Sequence, residues 1–251
     1  MRVFRSRGIR LSINRQTREW EIREKIYYDA DAYEKSKENN GMQKLLENKV
    51  IERFEYSIRE GDKVDTINFH VDLTKEISQL YFGLDKNILQ FIENIPKVFN
   101  STFLNYTIGY MFDNDVINQK TFYFYPTRWK GDRYGIKGIE DRDEIKCCLE
   151  RFIRFIKCGS FDNTIVNYYA RNIEKLKGIS ISADKKDRMT IKLYARIRRH
   201  SVLAIMDMLT KEKNAIRFNY DGIRNKYGDP HLVALRIHNT SVSGINLYYL
   251  L

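Results

Sequence analysis

Cysteine is scarce in this chain: three residues in 251, at Cys147, Cys148 and Cys158. An odd number without framework spacing excludes a disulfide-stapled secreted fold. All three fall within one helical pattern, where a thiol serves as a small buried hydrophobe. Only three prolines punctuate the chain. The four histidines, His70, His200, His231 and His238, lack metal-ligand spacing. No GxGxxG, Walker A, HExxH or paired CxxC sequence occurs, which removes the common dinucleotide, P-loop and zinc-protease readings. An Asp-rich DDxxD sequence is missing too, which argues against a helical prenyl synthase that chelates magnesium through aspartates. No apolar run approaches the length of a membrane span. The first ten residues, MRVFRSRGIR, are basic but lack the apolar core of a signal peptide. These absences lead us to expect a cytoplasmic protein that does not engage a membrane.

What is present is positive charge and aromatic surface. The formal net charge is +11, with 31% charged and 43% hydrophobic residues. That composition belongs to an ordinary globular chain whose cationic excess meets something anionic. Seventeen tyrosines and fourteen phenylalanines favour a β-rich interior. The length suits one large domain, and we expect residues 1–251 to form it.

The clearest pattern is a hairpin that recurs. Alternating apolar and polar runs flank short polar turns at 8–28, 51–73, 103–127, 178–197 and 231–250, giving five hairpins and ten strands. Helical patterns lie between them, at roughly 31–50, 74–99, 141–156 (DRDEIKCCLERFIRFI), 161–178 (FDNTIVNYYARNIEKLKG) and 200–214. Short turns make each strand pair antiparallel and disfavour a parallel βα barrel. Two outcomes follow from this order. One is an open antiparallel sheet with helices on one face and two free edges. The other is a ten-stranded antiparallel β-barrel with the helices outside and the polar strand faces turned into the lumen. The expected class is α+β, and the repeat favours the barrel.

The polar faces carry more than solvating groups. TIKLYARIRRH at 190–200 places Lys192, Tyr194 and Arg196 on one side of a strand and Ile191, Leu193, Ala195 and Ile197 on the other. Other strands add Glu21, Arg23, Lys25, Glu55, His70, Asp72, Tyr123, Tyr125, Arg236 and Tyr248. Many cations crowded in one interior would repel unless an anion joined them. Arg forks, Lys ammoniums and Tyr hydroxyls are the donors that a diphosphate needs. Tyrosine rings beside it could stabilise a carbocation and keep water from it.

KLYARI at 192–197, NFHVDL at 68–73, FYFYPT at 122–127 and INLYYLL at 245–251 together resemble the strand ends of the aromatic, or ABBA, prenyltransferases. Within them the closest likeness is to the short peptide prenyltransferases of cyanobactin pathways. The resemblance implies a barrel of five αββα repeats and transfer of a short isoprenoid, dimethylallyl, from its diphosphate to a peptide side chain or a small aromatic acceptor. It implies that Arg23 or Lys25, with His70, Lys192, Arg196 and Arg236, bind the diphosphate. Tyr123, Tyr125, Tyr194 and Tyr248 would shield the cation. Magnesium could accompany the diphosphate. The chain departs from the pattern at Asn68, where the family has Lys, and at Ile9 and Arg10, where an acid is expected. Glu55, Asp72 and Glu21 are the acids that could take the acceptor proton, Glu55 ranking first. The rival reading is a basic RNA-binding or RNA-processing protein with a Tyr-rich sheet. It calls for exposed aromatics and salt-dependent oligonucleotide binding, and the resemblance weighs against it.

Overall fold

A computed structural model describes residues 7–13, 20–28, 32, 34, 37, 53–59, 64–70, 105–113, 116–125, 139–155, 163–184, 189–210, 213–238 and 241–251. Ten strands run through them: β1 (Arg7–Ile13), β2 (Trp20–Tyr28), β3 (Arg53–Arg59), β4 (Val64–His70), β5 (Asn105–Asp113), β6 (Val116–Tyr125), β7 (Ile173–Asp184), β8 (Met189–Ile197), β9 (Leu232–His238) and β10 (Ser241–Leu250). Among the described residues there are four helices, α1 (Arg142–Phe155), α2 (Asn163–Asn172), α3 (Arg199–Thr210) and α4 (Lys213–Tyr227). Every strand pairing is antiparallel, in the order β1-β10-β9-β8-β7-β6-β5-β4-β3-β2, and β1 also pairs with β2.

The backbone ladder therefore runs round all ten strands, but the packed body is less than the expected ten-stranded ABBA barrel with surrounding outer helices. Side chains are described on eight strands, β1, β2 and β5–β10. With the four helices these form a mostly antiparallel half-barrel. The four described helices fall between β6 and β7 and between β8 and β9. They pack on β7, β10 and β2. The physical reason is that strand alternation specifies which face is apolar. It does not specify how many helices cover that face or how far they extend round it.

The helix-covered face is the core. Ile9, Leu11, Ile179, Ile181, Ile191, Leu193, Val233, Leu235, Ile245 and Leu247 are each at most 3% exposed. Each helix meets it with residues spaced three and four apart, as a 3.6-residue period requires: Ile145, Cys148 and Leu149 from α1, Ile165, Val166 and Tyr169 from α2, and Val202, Ile205 and Met206 from α3. Tyr169 is fully buried, and its hydroxyl donates to the carbonyl oxygens of Leu193 (2.7 Å) and Val233 (3.1 Å), tying α2 to two adjacent strands. The α1 start expected at DRDE is confirmed by a cap: the Asp141 carboxylate accepts the Glu144 backbone N–H at 2.8 Å. The α4 stop is Gly228, at φ +80°, whose N–H returns to the Arg224 carbonyl at 2.7 Å.

Three local expectations need correction. The helix expected at 161–178 ends at Asn172, and β7 begins at Ile173. Two bulges in β7 skip Glu174 and Lys177 in its register with β8. Ile173, Leu176 and Ile179 consequently face the core together, opposite Ile197, Ala195 and Leu193. A doubly bulged strand thus presents apolar residues every third position, which imitates a helix. Second, Cys147 is exposed while Cys148 is buried, so only one of this pair is a core residue; Cys158 lies outside the described residues. Third, α4 is a helix that the hydropathy pattern did not reveal. The helices expected over 74–99 lie outside the described residues, as does most of 31–50.

Candidate functional site

Strand register aligns polar residues in rows along the backbone ladder. One row runs Arg236, Lys192, Ser180, Tyr123, Thr107, His70, Arg53 across seven consecutive strands. The next runs His238, Thr190, Ser182, Thr121, Gly109, Asn68, Glu55. On the other side of the first row lies Glu21, Ser12, Asn246, Ala234, Tyr194, Gly178. Directly opposed residues share a face, so the pairing brings the Arg236 and Lys192 cations beside Ser180 and the Tyr123 phenol.

Tyr194 is its centre. Its register neighbours are Gly178 and Ala234, the two smallest residue types. The ring therefore reaches past both adjacent strands: its centroid lies 6.1 Å from Tyr123 on β6 and 5.8 Å from Tyr248 on β10. Both pairs are tilted, within the range of favourable aromatic contacts. The space over Gly178 is itself filled, since a Cβ there would stand 2.8 Å from the Phe124 carbonyl oxygen and 3.0 Å from the Tyr125 ring. Tyr125 thus joins the same cluster. Tyr194 is 7% exposed and its hydroxyl lies 3.2 Å from the Ser180 hydroxyl. Burial, then the Tyr248 and Tyr123 hydroxyls nearby, push the Tyr194 phenol well above its ordinary range. It stays a neutral hydrogen-bonding group at any ordinary pH.

Arg236 is half-buried and held by its own hairpin. Its Nε donates to the Ser243 hydroxyl at 3.1 Å and its Nη2 to the Ser243 carbonyl at 3.4 Å. Gly244 makes room for this: it sits at φ +155° beside a bulge, and a Cβ there would meet Arg236 Nη2 at 3.1 Å. Hydroxyl pairs line the second row, with Thr121 and Ser182 at 2.8 Å and Thr190 against His238 Nδ1 at 3.0 Å.

Asn246 is the exception to this pairing. It is 0% exposed, and among the described residues neither its amide nitrogen nor its amide oxygen has a hydrogen-bond partner. A buried amide left unpaired needs a further partner, an enclosed water or a bound polar group.

The structure sorts the residues singled out in the sequence. Lys192, Arg236, Tyr123, Tyr125, Tyr194 and Tyr248 come together on the polar face. His70 and Glu55 take register positions in its two main rows, described as backbone only. Asp72 lies outside the described residues. Arg196 stands at the strand end, 70% exposed, with its Nε 3.8 Å from Glu174. A bulge in β2 places Lys25 opposite Ile9, on the helix-side face, and skips Arg23, which pairs with Glu21 at 3.0 Å. The same bulge puts Glu24 at the position opposite Arg10, where strict alternation would not place it. No period-two reading could find Glu24, because nothing local announces a one-residue slip. Arg10, 6% exposed, is a further buried cation of this face.

No family model matches the chain, and no curated protein matches it significantly.

Proposed function

We propose that the polar face binds an allylic diphosphate and transfers its short isoprenoid, dimethylallyl, to a nucleophilic group of a peptide or a small aromatic acceptor. One observation carries the reading: a single register row unites Arg236, Lys192, Tyr123 and His70, flanked by the ring chain Tyr123–Tyr194–Tyr248. Cations and phenols meet here on neighbouring strands, as the two halves of the chemistry require.

The diphosphate oxygens take the Lys192 ammonium and the Arg236 guanidinium, with His70 next along the row. The allylic C–O bond breaks and its electron pair leaves with the diphosphate, where these donors offset the developing charge. The allyl group, now cationic, lies against the tyrosine faces, which attract it and exclude water. The acceptor's nucleophilic atom supplies the pair for the new bond to the allylic carbon and then loses its proton to a carboxylate. Glu55 and Glu21 hold register positions suited to that role. Magnesium would serve by offsetting diphosphate charge. Among the described residues no group of three His, Cys, Asp or Glu side chains could hold a metal, so the ion would be carried by the diphosphate itself.

An RNA-binding sheet, by contrast, needs exposed aromatic faces for stacking, and Tyr194 is 7% exposed. The test is incubation with dimethylallyl diphosphate and a panel of peptides and small phenols and indoles, read by mass spectrometry. A mass gain of one isoprenoid unit is expected, with Lys192→Ala and Arg236→Ala each lowering kcat by about 100-fold in a folded protein. Product formed equally well by both variants would refute the assignment of the diphosphate site. No product across the panel, together with no binding of a non-hydrolysable diphosphate analogue, would refute the reading as a whole.

A further inference from the structure

At the end of the sheet where β7 begins, the same two bulges that imitate a helix assemble a second charged feature. Glu174 and Lys177 are the skipped residues, and Lys175 pairs in register with Arg196. Bulges re-aim side chains out of the regular ladder. Glu174 answers two arginines, with Arg196 at 3.8 Å and Arg198 at 3.6 Å. Lys175 is bonded to Glu140. Beside them opens a cleft of about 280 Å³, lined by Glu140, Arg142, Arg171, Glu174 and Arg198 among others. Both carboxylates of the cleft are thus already answered by cations. Arg142 and Arg171, by contrast, have no ionic partner among the described residues.

Towards β9 the positive charge continues. Lys177 and His231 lie near Arg196. Burial first, then Lys175 and Arg196, hold the Lys177 ammonium below its ordinary range, with Glu140 acting the other way. The His231 N–H donates to the Tyr248 carbonyl at 2.8 Å, so the feature adjoins the strand that carries one of the site tyrosines.

We propose that this collar of cations and its arginine-lined cleft form a docking site for an acidic peptide segment of a partner protein. The assignment does not depend on the proposed transferase chemistry. Three considerations select the occupant. The charge is spread along an extended track from the ends of α1 and α2 across β7 and β8, through Lys175, Lys177 and Arg196, which suits an extended chain better than one compact ion. Arginine forks match carboxylates two bonds at a time. Among its described lining residues the cleft has no aromatic ring, the usual platform for successive bases of a single strand.

The experiment uses the full chain and a fluorescently labelled synthetic peptide of alternating Glu and Gly. Anisotropy is followed at low and at physiological salt. A single-stranded RNA of equal charge and an uncharged Gly-Ser peptide serve as competitors. Binding of the acidic peptide is expected, weakening as salt rises. The Arg142→Glu/Arg171→Glu variant should lose affinity by at least about tenfold with an unchanged circular dichroism spectrum, because both side chains are exposed. Arg142→Gln/Arg171→Gln gives the same comparison should the reversed charges disturb folding. Absence of peptide binding at low salt, equal binding by the variants, or tighter binding of the RNA would each overturn the proposal.

Discussion

Replacing Asn246 by leucine should make the free protein more stable. Asn246 sits in β10 between Ile245 and Leu247, with Ser12 and Ala234 as its register partners, and it is fully buried. Its amide has lost its hydration on both the nitrogen and the oxygen and has gained no hydrogen bond in return. Such a loss costs about 1–3 kcal/mol for each unsatisfied group. Leucine has a similar branched shape, and its burial is favourable by about 1.5–3 kcal/mol relative to exposure. Crowding from its extra bulk takes back about 1–3 kcal/mol. The smallest gains set against the largest crowding cost still leave about 0.5 kcal/mol, so a net stabilisation of at least about that size is expected, which for a chain of this size raises Tm by at least about 1 °C. Urea denaturation checks it: the midpoint should rise with the slope unchanged. The variant should also bind substrate more weakly if the unpaired amide is a recognition group, because stability and site polarity then trade against each other. A fall in stability of more than about 1 kcal/mol would refute the reasoning and point to an enclosed water as the partner of the amide.

Three further outcomes are expected. Gly178→Ala drives a methyl against the Phe124 carbonyl and the Tyr125 ring; stability should fall by about 1–3 kcal/mol and the near-ultraviolet tyrosine signal should change, whereas an unperturbed melting curve would contradict the tight fit. In a Cys158→Ser background, a thiol reagent should modify exposed Cys147 in the native protein and Cys148 only on unfolding. Burial first, then Glu144 and Cys147, against the opposing Arg151, push the Cys148 thiol up to about 11; equal labelling rates would refute this. Crowding around its ring, then Lys177 and Arg196, holds His231 below its ordinary value. The folded chain binds that proton less readily than the unfolded chain. Its contribution to stability is therefore complete above about pH 6.5 and is lost as pH falls through the lower folded value. Between pH 7 and pH 5, Tm should drop further for the native sequence than for His231→Gln; parallel curves would exclude the histidine as the cause.

Alternation along TIKLYARIRRH was enough to separate Lys192 and Tyr194 from Ile191, Leu193 and Ala195, because a strand has a side-chain period of two whatever its neighbours do. The ten strands and their antiparallel order followed from the same periodicity and from the short turns. The cap at Asp141 was legible for a similar reason: a capping carboxylate acts on an amide three residues away. Tertiary structure decided everything that depends on a slip in register or on distance through space. The bulges of β7 turned an apparent helix at 173–178 into a strand, and the bulge of β2 moved Lys25 to the helix-side face and brought Glu24 level with Arg10. Tyr194 met Tyr123 and Tyr248 only because Gly178 and Ala234 flank it on other strands. Arg196, on the same side of its strand as Lys192 by alternation, went instead to solvent and Glu174, since a period says which face a residue takes but not how far along the strand the enclosed surface extends. The half-barrel in place of the expected barrel was likewise set by packing between distant segments, whose energies no local pattern encodes.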